Sequence, residues 1–209
     1  MKRHPVSVRV FHWASAILIV GSAAVVLSRE IIEHQPTRQI LLELHRQLGL
    51  LILVGLIGRL VTRFRLGLAD HASNLGRATR AAAQLAHWAM YGVIACITLI
   101  GWALTNAHAI QLRLLEIIPL PNLVAADSDL ADTLSDWHVY AAWTLLGFVV
   151  LHVSAALWHH FRLRDHVLVA MLPGGANVAQ TQEAGTHNGP LVKSPLHAVS
   201  PPARTVATR

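Results

Sequence analysis

Cysteine is nearly missing from this 209-residue chain. The one present, Cys96, rules out a disulfide within the monomer and a C-x-x-C-H attachment for a covalent cofactor. Charge is scarce too: 13% of residues are charged against 54% hydrophobic, and mean hydropathy is +0.47. Soluble domains carry about 25% charged residues, so that class is excluded. Acidic residues are the scarcer sign, 11 against 17 basic, for a net charge of +6. That excess suggests a nucleic-acid partner only until its distribution is read.

The apolar residues come in blocks. Four are long enough to cross a bilayer as helices: residues 8–27, 41–61, 81–104 and 138–161. Lipid offers no partner to a free backbone amide, so the expected fold class is all-α, an integral membrane four-helix bundle. Residues 1–172 are expected to form that domain. The Pro-, Gly-, Ser- and Thr-rich stretch 173–209 reads as a disordered cytoplasmic tail. Block one carries His12 and Trp13 and runs on to Leu27, unlike the plain apolar core of a cleaved signal, so it is expected to remain in the chain.

Basic residues mark one side of the membrane. Lys2, Arg3, Arg9, Arg59, Arg63, Arg65, Arg77, Arg80, Arg162 and Arg164 fall at one set of helix ends. Arg29, Arg38, Arg46 and Arg113 fall at the other, together with Glu30, Glu33, Asp127, Asp129, Asp132 and Asp136. The positive-inside rule then predicts that both termini are cytoplasmic. Charge scattered in this way is a topology signal, and no nucleic-acid partner is expected.

Histidine is the residue in excess, with fourteen. Most lie in loops, but His12, His45, His87, His138 and His152 fall within or at the start of a span. An ionisable group at depth points to function, although a neutral imidazole can also serve only as a hydrogen-bonding link between helices. His138 and His152 are fourteen residues apart, so they leave one helix face at heights about 21 Å apart. With the predicted topology, His12 shares the inner level with His152, and His45 the outer level with His138.

Zinc takes four ligands, and no cysteine or acid accompanies either pair. A haem iron takes only two axial ligands, and imidazole is a common one. Ala16, Gly49, Ala142 and Ala156, each four residues beyond one of these histidines, are small enough to leave room for a flat macrocycle or simply for close helix packing. His87 is followed at that spacing by Tyr91 and reads as a neutral structural histidine or a support for a propionate or pocket. The expectation is two non-covalent b-type haems, His12/His152 and His45/His138. With both axial positions filled, they are suited to single-electron transfer.

The stretches "VRVFHWASAIL", "LLELHRQLGLLIL", "AHWAMYGVI" and "SDWHVYAAWTLLGFVVLHVSAALWHH" together resemble the bacterial cytochrome b561 family over about residues 3–173. The resemblance implies the same four haem-iron ligands, His12, His45, His138 and His152. It also implies a multi-pass protein of the bacterial inner membrane that exchanges electrons with the quinone pool, ubiquinone included. Some members of the family are similar to superoxide:ubiquinone oxidoreductases, which implies superoxide or a redox protein as donor at the outer face. Whether the chain is catalytic in that sense is left open. For the quinone or an inner propionate the candidate contacts are His159, Arg77 and Arg80; for an outer propionate, Arg46. Two other classes stay open: the haem subunit of a larger hydrogenase or dehydrogenase complex, and a haem-free transporter or assembly protein.

Overall fold

The computed structural model describes residues 6–65 and 77–162. Four helices account for most of them: α1 Val6–Ile31, α2 Gln35–Arg65, α3 Arg77–Ala107 and α4 Ser128–Phe161. Each is long and apolar enough to cross a membrane. The fold is thus the expected all-α bundle of membrane helices. The C-terminal stretch expected as a tail lies outside the described residues.

Local chemistry sets the helix ends. Between α1 and α2 only three residues intervene, so the two helices run antiparallel as neighbours. The His34 carbonyl accepts from the Arg38 amide at 3.1 Å, and Arg38 Nη1 donates to Ile32 O at 3.2 Å. Pro36, in the first turn of α2, has no amide proton to leave unpaired. Asp127 caps α4, its carboxylate accepting from the Leu130 amide at 3.0 Å.

That cap corrects one expectation. The acidic residues from Asp127 to Asp136 are expected to lie ahead of the fourth block at residue 138, yet residues 128–136 form the first turns of α4. At 1.5 Å per residue the 34-residue helix is about 51 Å long, far more than a bilayer's hydrocarbon core of about 30 Å. Hydropathy finds the part that suits lipid; the backbone hydrogen bonds continue through Asp132 and Asp136 into the polar layer.

A second feature had no sequence signal. Between α3 and α4 lies a hairpin, with β1 Arg113–Leu114 antiparallel to β2 Ile118–Pro119 and Arg113 opposite Pro119. Its turn places Leu115 and Glu116 at φ 52° and 59°, and the Ile117 amide donates to Leu114 O at 3.1 Å. This is the type I′ pattern, which ordinarily takes Asn-Gly. Gln47 of α2 holds the turn: its Oε1 accepts from the Leu115 amide at 2.9 Å. Its Nε2 donates to Arg113 O at 2.9 Å and to Glu116 Oε1 at 2.7 Å.

The protein-packed core is small and lies at mid-height. Ile52, Leu56, Tyr91, Ile94 and Leu145 are its buried members, flanked by Leu18, Ile19, Leu60 and Val149. Outward faces are apolar as well; Ile17, Leu27 and Trp143 are 64–68% exposed. Water would not tolerate such a girdle, whereas lipid stabilises it. α1 packs chiefly on α2, α3 on α4, and α2 on α3. By contrast, the backbone of α4 makes next to no contact with α1 or α2.

Candidate functional site

Seven-residue steps, about two turns each, organise the bundle into layers. α4 carries His138, Leu145 and His152; α2 carries His45, Ile52 and Arg59; α3 carries His87, Ile94 and Gly101. The middle member of each series belongs to the apolar core. Above and below it, polar side chains turn inward.

At the outer level His45 of α2 faces His138 of α4, ring centres 6.1 Å apart and planes at 81°. His45 Nδ1 lies 3.1 Å from the Ser22 carbonyl oxygen and 3.0 Å from Ser22 Oγ, and Ser22 is buried. A carbonyl only accepts, so Nδ1 carries the proton and Nε2 keeps its lone pair. His138 Nδ1 is buried and closes no hydrogen bond among the described residues, although it is turned towards the Ile97 carbonyl. α3 comes unusually near at Gly101, where a Cβ would meet His138 Cε1 at 3.0 Å.

At the inner level His12 of α1 faces His152 of α4, ring centres 6.3 Å apart and planes at 55°. All four helices contribute here. His87 of α3 lies 5.6 Å from His152, and its Nδ1–H donates to Ala83 O at 2.6 Å. Arg59 of α2 donates from Nη2 to His12 Nδ1 at 3.2 Å and lies over the Tyr91 ring at 5.3 Å. Arg59 was expected among the cations at helix ends; it is half-buried inside the bundle instead. Its fourteen-residue step from His45 puts it on the inward face.

Do these residues suit a haem iron? A haem would be held between two facing imidazoles, and both pairs face each other, with ring centres 6.3 Å and 6.1 Å apart. Both also cross the seam where α4 stands off from α1 and α2, so side chains and not backbones bridge it. A Cβ added at Gly49, one turn from His45, would meet nothing within 4 Å. The tautomer of His45 is in keeping with a ligand role. The donor set fits.

His87 and His152 lie on α3 and α4, two helices that pack on each other, with ring centres 5.6 Å apart. Among the described residues, no group of three His, Cys, Asp or Glu side chains could hold a bare metal ion.

The remaining candidates are placed unevenly. His159 is half-buried near the inner end of α4, two turns beyond His152. Arg46, expected to meet an anionic group at the outer level, pairs with Glu43 at 3.0 Å. Arg77 and Arg80 open α3, and their side chains lie outside the described residues. Sequence reasoning missed Ser22, Gln47, Arg59 and Gly101. Only the fourteen-residue interval from His45 could have singled out Arg59; nothing in the local sequence marks the others.

Comparison with known proteins agrees with this arrangement. The family model described as prokaryotic cytochrome b561 matches residues 3–174. A relative from Escherichia coli strain K12, cytochrome b561 homolog 2, is 28% identical over 177 residues, covering 82% of this chain and 92% of its own. A Yersinia pestis protein named probable superoxide oxidase CybB is 26% identical over 164 residues, covering 78% and 91%. A bundle of four membrane-length helices and a match over most of the chain lead to one statement: this protein belongs to the prokaryotic cytochrome b561 family, the membrane b-type cytochromes of electron transfer.

Proposed function

We propose that the chain is a two-haem transmembrane electron carrier of the bacterial inner membrane, linking a one-electron donor at the outer face to the quinone pool. The observation that carries this reading is the pair of facing imidazoles repeated at two depths, with ring centres 6.3 Å and 6.1 Å apart. His45 and His138 would hold the outer haem, His12 and His152 the inner. Haem b, if held by each pair, would supply one-electron exchange.

The chain's own residues prepare these sites. The Ser22 carbonyl fixes the His45 ring in the tautomer that presents a lone pair inward. Gly101 allows α3 to lie flat against His138. The mid-height layer of Ile52, Ile94 and Leu145 excludes water between the two levels. The apolar outer walls keep the whole assembly in lipid.

Superoxide is the proposed donor, supported by the Yersinia pestis relative named as a probable superoxide oxidase. Charge asymmetry across the chain supports cytoplasmic termini, with the His12/His152 level nearest that side. His159, with Arg77 and Arg80, is the proposed quinone contact there. Its imidazole can donate a hydrogen bond to a quinone carbonyl.

Stopped-flow mixing of the purified chain with superoxide, and separately with ubiquinol and menadiol, tests this reading. The expected result is a reduced b-type spectrum with superoxide and exchange with a quinol. A chain that neither superoxide nor any quinol reduces would contradict it.

A further inference from the structure

Arg59 is a cation at membrane depth with no anion beside it. Among the described residues, the ion pairs join Arg29 to Glu30 and Arg46 to Glu43, and no carboxylate reaches Arg59. Its guanidinium is held by the Tyr91 face and by His12, and it borders a cavity of about 10 Å³ shared with Ser15, Ile19 and Tyr91. A charge in hydrocarbon is expensive and is by default a functional group. Guanidinium does not deprotonate in proteins, so the charge is permanent.

The bond to His12 carries a second message. Guanidinium only donates, so His12 Nδ1 accepts and the neutral ring carries its proton on Nε2. A histidine whose Nε2 ligates iron has the opposite tautomer, with Nδ1–H facing outward. The two states of His12 exclude one another. When Nε2 takes a metal, Arg59 must release Nδ1, yet the Tyr91 ring still anchors it within the same small space. A mobile surface arginine would withdraw to water; this one sits between the packed faces of α2 and α3.

We propose that Arg59 is the built-in positive charge of the inner site, and that it biases the shared electron towards that site. The proposal rests on the reading that His12 and His152 hold a haem there. Reduction adds one negative charge at the inner level, which a fixed cation a few ångströms away favours; in a low-dielectric interior that preference is little screened. At the outer level α2 offers His45 where it later offers Arg59, and the nearby Arg46 is neutralised by Glu43. Downhill transfer from outer to inner level follows from one side chain on one helix.

The test is a spectroscopic redox titration of the full-length, haem-loaded chain, with the two sites told apart by electron paramagnetic resonance. Arg59→Gln removes the charge and keeps hydrogen bonding; Arg59→Lys keeps the charge. The expected result is at least a tenfold loss of electron preference for the inner site in Arg59→Gln, a 59 mV fall for a one-electron couple. Arg59→Lys should change it less than threefold, and the outer potential should not move in either variant. Should Arg59→Gln fail to assemble, Arg59→Met, close in length, makes the same comparison with Lys. Equal shifts in the Lys and neutral variants, or no shift in either, would overturn the proposal. A wild-type chain without two haems, or one whose inner haem survives loss of both His12 and His152, overturns the underlying reading instead.

Discussion

Gly101 and His138 approach so closely that a side chain at residue 101 would crowd the His138 ring. A Cβ at residue 101 would lie 3.0 Å from His138 Cε1 and 3.4 Å from Nδ1. Both belong to regular helices, so neither backbone gives way cheaply. Gly101→Val should therefore rotate the His138 ring off its line to His45 and weaken the outer site selectively. Haem content, measured on the purified variant, should fall from two per chain towards one, with the inner signal unchanged. An intact outer signal in this variant would show that His138 does not depend on the close approach.

On the proposed reading, His12, His45, His138 and His152 divide into two independent ligand sets. His45→Ala or His138→Ala should remove the outer haem, and His12→Ala or His152→Ala the inner. Each variant should retain one haem with the spectrum of the other site. Two haems persisting after any one of these changes would remove that residue from the ligand set.

His87 provides a control within the same level. It lies nearer to His152 than His12 does, 5.6 Å against 6.3 Å, but on α3, which packs on α4. His87→Leu should retain two haems, because the seam between α1 and α4 supplies the site. Loss of the inner haem in His87→Leu, with retention in His12→Ala, would exchange the roles of these two residues.

Much of this was legible in the sequence, and the reasons are physical. Block lengths fix the spans, and the sidedness of arginines fixes which ends share a surface. The fourteen-residue step from His138 to His152 then leaves one way to match depths, and the structure brings together those same pairs. Arg59 escaped because it stands six residues from the basic end of α2, where a cation ordinarily faces headgroups. The hairpin escaped because Leu115 and Glu116 are not the Asn and Gly that announce a type I′ turn. Its conformation is imposed from outside, by Gln47.

That imposed turn is a measurable source of strain. Non-glycine residues in the left-handed region cost on the order of 1–2 kcal/mol each, offset here by three hydrogen bonds between Gln47 and the loop. Gln47→Ala should loosen residues 113–119, seen as faster amide hydrogen exchange there and little change in α1. Leu115→Asn should act in the opposite sense, slowing exchange. Leu115 is 56% exposed, so its loss removes little packing.

His159→Ala tests the inner quinone contact. Removing a hydrogen bond to a group that gains charge costs about 1.5–3 kcal/mol, so quinone exchange should slow tenfold or more with both haem spectra intact. Wild-type kinetics in this variant would move the contact to the outer level, near Arg46.

The central claim is that two facing histidine pairs each hold one non-covalent haem. Its most direct measurement is the haem content of the purified full-length chain by the alkaline pyridine spectrum, before and after acid–acetone extraction. The account predicts two b-type haems per chain, both extractable. A colourless protein, a single haem, or haem that stays with the polypeptide would contradict it.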